Sequence, residues 1–165
     1  MKQIMTILLL VVMQPIYSQD LLLNAKWNPD RVRKSLAIIK EVEPALFNEV
    51  ILKSTIQAGE YPGAEAFCTI DEMASGNILW IMLGGNMLCN WSDNMITATI
   101  YHEALHLQYW MVDVNGRNWT FMSEDQRFQE HARIYKLELE FLKRINATTK
   151  EIAVLRGSMV VMGIL

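Results

Sequence analysis

Cysteine, proline, histidine and glycine are all scarce in this chain. Its 165 residues include two Cys, four Pro, three His and eight Gly. Two Cys exclude a disulfide-built scaffold and a four-Cys zinc module. Charge of one sign is lacking too: 15 Lys and Arg stand against 18 Asp and Glu, a formal net charge of −3. With no long basic run, this balance argues against nucleic acid as the main partner. No apolar run reaches the roughly 18 residues of a membrane-spanning helix. What is present is 52% hydrophobic and 20% charged residues, which excludes a disordered chain. The length suits one domain with a buried core.

The first residues read as a targeting segment. Lys2 gives a basic start, residues 4–13 are apolar apart from Thr6, and Pro15 and Ser18 follow. That layout predicts a signal peptide over residues 1–18 and a mature domain over 19–165, secreted or periplasmic. Removal of Lys2 shifts the formal charge from −3 to −4. In an oxidising compartment Cys68 and Cys89 either pair or remain two buried thiols.

Beyond that segment the pattern predicts an α+β domain, mostly helical, with a small sheet. Asn28-Pro29-Asp30 is a helix entrance, and Val32, Leu36, Ile39, Val42, Leu46 and Val50 recur every three or four residues. This predicts a helix over 31–55, kinked or split at Pro44. Residues 57–63 read as a loop and 66–70 as a short strand. The branched and aromatic run 78–83, bounded by Gly76 and Gly84-Gly85, reads as a buried strand. Ser92 or Asp93 caps a helix running to about Trp110. Ser123 with Gln126 makes a capping box for a helix from Glu124 to about Asn146. Residues 150–165 read as a last helix or a strand. Lys136, Glu138, Glu140, Lys143 and Arg144 read as a solvated helix face. Trp80, Trp91, Trp110 and Trp119 read as core in preference to cleft wall.

The chemistry sits in Tyr101-His102-Glu103-Ala104-Leu105-His106. His102 and His106 stand one turn apart on one helix face, so both imidazoles reach a single Zn²⁺ from the same side. Glu103 points to the neighbouring side, where it takes a proton from a zinc-activated water and passes it to the leaving amine. A catalytic zinc takes a third protein ligand and keeps a fourth position open. Glu130 is the leading candidate. It lies on the line Glu130, Ile134, Leu137, Phe141, where a carboxylate is costly unless a metal or Arg compensates it. His131 and Glu124 compete with it, and Asp113 is an outsider. Tyr109, His131, Arg133 and Tyr135 are candidates to steady the charge developing on a scissile carbonyl.

Residues 78–135 resemble a small member of the gluzincin branch of zinc metallopeptidases. The matching pieces are the strand 78–83, the helix with the two motif histidines, and a second helix containing Gln129-Glu130-His131-Ala132. The Asn before the ligand Glu and the Ser-Asp after it, found in thermolysin-type members, are absent. The resemblance implies a minimal zincin-like domain with a small sheet beside the motif helix. It also implies His102, His106 and Glu130 as zinc ligands, Glu103 as general base, and a peptide or protein substrate. In such folds a strand edge beside the metal helix pairs with an extended peptide. Strand 78–83 is either that edge or an interior strand. The alternatives are a non-catalytic binding module on the same scaffold, or a small exported helical interaction protein.

Overall fold

A computed structural model describes residues 21–22, 28–61, 65–73, 76–112 and 122–165. The signal segment 1–18, Asp113 and Trp119 lie outside these residues. The elements in chain order are β1 (Leu21–Leu22), α1 (Pro29–Val42), α2 (Pro44–Glu49), β2 (Ser54–Gly59), β3 (Ala66–Met73), β4 (Gly76–Gly84), α3 (Gly85–Asn90), α4 (Asp93–Val112), α5 (Glu124–Arg144) and α6 (Thr149–Val161). A single 3-10 turn, Ile51–Lys53, joins α2 to β2. The architecture is α+β, as the residue pattern predicts. No helix among the described residues is long and apolar enough to cross a membrane.

The expected long first helix is two helices and a strand. Pro29 opens α1, where its missing N–H costs nothing, and Val32, Ser35, Leu36 and Ile39 form the buried face. Pro44 then starts α2 at its own first turn. Residues 54–59, expected as helix end and loop, form a strand with alternating burial, Ser54, Ile56 and Ala58 pointing inward. Only one of these three inward residues is a large apolar one, so the two-residue period is faint in the sequence.

The sheet has the order β1-β2-β4-β3. β2 runs parallel to β4 with Ile56 opposite Ile81, and β3 runs antiparallel to β4 with Cys68 opposite Ile81. β4 is therefore interior, which settles the two readings of strand 78–83, and β3 and the two-residue β1 are the outer strands of the described sheet. One sheet face carries Ile56, Leu79, Ile81 and Leu83, all buried against the helices. Cys68 shares that face because strand side chains alternate.

Helix α4 runs through the middle of the core. Every residue from Ile100 to Leu107 is buried, as expected of a helix apolar on most sides. Arg31 of α1 fixes its start: the guanidinium donates to Asp93 Oδ1 at 2.8 Å and to the carbonyls of Leu88 and Trp91. Thr97 Oγ1 of α4 donates to the Asp93 carbonyl at 2.7 Å and accepts from Ser35 Oγ of α1 at 2.9 Å. Helix α5 begins with the expected capping box, Ser123 with Gln126, and carries Glu124 and Asp125 at its start and Lys143 and Arg144 at its end. Both ends suit the helix dipole. The tail is a helix, α6, with its own capping box of Thr148 and Glu151. Glu151 also accepts from Ser92 Oγ and from Asn94 Nδ2, tying α6 to the start of α4.

Candidate metal centre

The centre forms where α4 meets α5. The buried line of α5 is Glu130, Ile134, Glu138, Phe141 and Leu142. The expected line ran through Leu137, which is 37% exposed, whereas Glu138 is 3% exposed. Both lines have helical spacing and share Glu130, Ile134 and Phe141; the real one takes Glu138 in place of Leu137 and adds Leu142. Glu138 is thus no part of a solvated face, contrary to the expectation.

His102 and His106 of α4 and His131 of α5 come together, with one ring nitrogen from each lying within 4.8 Å of the others. The other nitrogen of each ring is occupied. His102 Nδ1 meets Glu138 Oε2 at 2.7 Å, His106 Nδ1 meets Glu130 Oε1, and His131 Nδ1 meets the Arg127 carbonyl at 3.2 Å. An ionised carboxylate or a carbonyl only accepts, so each Nδ1 carries the proton. Each Nε2 is left as the metal-facing nitrogen. His106 Nε2 and His102 Nε2 stand 3.2 Å apart. Two lone pairs at that distance repel unless a proton or a cation lies between them. The nitrogen–nitrogen edge of tetrahedral zinc, with bonds of about 2.0–2.1 Å, is about 3.3 Å.

Electrostatics favour the same picture. Burial and the neighbouring imidazoles of His106 and His102 push His131 down to about 4, so it stays neutral over the ordinary range. Burial alone would lower His102 as well, but the carboxylates of Glu138, Glu103 and Glu130 outweigh it and hold His102 above the usual histidine value. A dication held between the rings would relieve the lone-pair repulsion and offset the buried carboxylates Glu103, Glu130 and Glu138.

The remaining expected residues fall as follows. Glu103 is buried on the side of α4 that faces Cys68 of β3. Burial and the carboxylates of Glu103 and Glu130 push the Cys68 thiol well above its ordinary value, which keeps it protonated and unreactive. Cys68 and Cys89 are free, so the disulfide alternative is not realised. Glu130 uses one oxygen on His106 Nδ1 and the other on Trp110 Nε1, at 3.4 Å. Trp110 is core, with its ring 5.5 Å from His106. Tyr135 sets its ring 5.0 Å from that of His102. Glu124 is exposed in the first turn of α5. Tyr109 and Arg133 pair with each other, the guanidinium 5.6 Å from the ring centroid. They line a groove of about 570 Å³ that touches the histidine cluster through Glu130 alone. Glu138 and Cys68 were not anticipated at the site. The signal for Glu138 was its four-residue spacing from Ile134; for Cys68 it was strand alternation with Ala66 and Ile70.

No protein-family model matches the chain. No curated protein and no solved structure matches it either. The structure thus defines an α+β protein with a three-histidine group, two buried and one half-buried, that could hold a metal ion.

Proposed function

We propose that the protein is an exported zinc-dependent hydrolase of peptide bonds, with His102, His106 and His131 as the metal ligands. The observation that carries this reading is the convergence of one ring nitrogen from each of three histidines whose Nδ1 atoms are hydrogen-bonded. Three imidazole ligands would leave a tetrahedral zinc one position for water or substrate, as a catalytic site needs. In this reading Glu130, expected as a ligand, backs His106 from behind. Zinc held there supplies the Lewis acidity that makes water a usable nucleophile near neutral pH.

Glu103 follows His102 in the chain and is buried beside the same cluster. It accepts the proton of the attacking water and delivers it to the leaving amine. The outer edge of β3, which pairs with no further strand among the described residues and carries Cys68 next to Glu103, would support an extended peptide through main-chain hydrogen bonds. Such pairing reads backbone more than side chains, as a protein or peptide substrate requires.

The test uses the mature chain purified from the secreted or periplasmic fraction, with its N-terminus located by mass near residue 19. Glu103→Gln should keep the zinc content of the wild type and lose about 10²- to 10⁴-fold in hydrolysis of an unfolded protein such as casein. Equal hydrolysis by the variant refutes the role of Glu103. A zinc-loaded wild type that cleaves nothing identifies a binding module instead.

A further inference from the structure

We propose that Glu138 and Glu130 are positioning residues for the metal centre, the pair of side chains that orients both histidines of α4. The inference rests on the metal-binding reading above and goes beyond it to residues that touch no metal. Each acid lies on the buried line of α5, with side chains 4% and 1% exposed. A hydrophobic side chain would pack there at lower cost, because burying a carboxylate is unfavourable even when it is paired. What the acids do that Leu would not is hold a ring. Glu138 Oε2 accepts a hydrogen bond from His102 Nδ1–H, and Glu130 Oε1 accepts one from His106 Nδ1–H. Each bond fixes the tautomer and blocks the ring flip that would exchange Nδ1 for Nε2.

The three Nδ1 atoms have partners of different kinds. That of His131 meets a main-chain carbonyl of its own helix, four residues back. The two α4 ligands depend on side chains from a different helix. Glu130 is itself steadied by the Trp110 indole, so both its oxygens are used. Docking of α5 onto α4 therefore brings in the third imidazole and orients the other two in a single event. The geometry of the centre is set by the α4–α5 contact before any metal arrives.

The experiment is zinc titration against a competing chelator for the wild type, Glu138→Gln, Glu130→Gln and Glu140→Gln. Glutamine keeps the shape and removes the charge, and its amide can present an NH2 as well as an oxygen to Nδ1, so it no longer fixes the tautomer. Glu140 lies on the same helix, exposed and paired with Lys143, and controls for a general loss of negative charge. The two buried variants should each bind zinc roughly 10- to 100-fold more weakly, and Glu140→Gln should match the wild type. Cobalt loaded in place of zinc should show a weakened tetrahedral visible spectrum in the two buried variants alone, a change that loss of stability by itself does not produce. Should Glu138→Gln fail to fold, Glu130→Gln and Trp110→Phe carry the test, the latter expected to weaken binding by removing one donor to Glu130. Affinities and cobalt spectra equal to wild type in the folded variants overturn the proposal while leaving the metal reading in place. A wild type that takes up neither ion overturns both.

Discussion

Replacing His131 by Ala separates the two candidate third ligands, His131 and Glu130, which are adjacent in sequence. The ring nitrogen of His131 lies within 4.8 Å of those of His102 and His106, and a metal draws it to an edge of about 3.3 Å. Four-ligand zinc sites bind with about 10–16 kcal/mol in all, so one ligand is worth about 2.5–4 kcal/mol. His131→Ala should then weaken zinc binding by roughly 10²- to 10³-fold. Glu130→Gln, acting from behind His106, should cost roughly 10- to 100-fold. Competition with a chromogenic chelator at neutral pH reads both, once far-UV dichroism shows the variants folded. His131 is only half-buried, so its removal leaves the core intact. The reasoning is refuted if His131→Ala binds as tightly as wild type while Glu130→Gln binds no zinc.

Two further predictions concern the scaffold. Glu151 is held down to about 2: burial opposes this, but hydrogen bonds from Ser92, Thr148 and Asn94 outweigh it. A depressed carboxylate contributes stability above its unfolded value near 4.5, and that stability is lost as pH falls toward about 2. Denaturant midpoints of the wild type should therefore drop through this window more steeply than those of Glu151→Gln; parallel curves would contradict it. Phe141 is fully buried and stacked on Tyr101 at 4.1 Å, so Phe141→Ala should destabilise the fold by about 3–5 kcal/mol in urea unfolding. A loss under about 1 kcal/mol would mean that α5 packs elsewhere.

The sequence made the α4 half of the site legible because both histidines and Glu103 lie on one uninterrupted helix, where spacing alone fixes direction. The α5 half was harder. Glu130 and His131 differ by one residue, about 100° around the helix, and spacing does not say which one points at the metal. The choice of Leu137 over Glu138 followed the usual preference for burying the apolar residue, and it fails because imidazole bonds compensate the acid. Strand 78–83 was legible from its branched and aromatic run. β2 was not, since Ser54 and Ala58 on its inner face carry little hydrophobic signal. Which strand forms an edge depends on pairing partners distant in the chain, and β3 takes such a place through a register no local pattern contains.

The central claim is that three imidazoles share one divalent ion. X-ray absorption at the zinc edge of the zinc-loaded chain tests it directly. The account predicts one zinc per chain with nitrogen or oxygen neighbours at about 2.0–2.1 Å and outer-shell scattering from three imidazole rings. A zinc neighbour at about 2.3 Å, the distance of a sulfur ligand, or a chain that takes up no stoichiometric zinc, would contradict it.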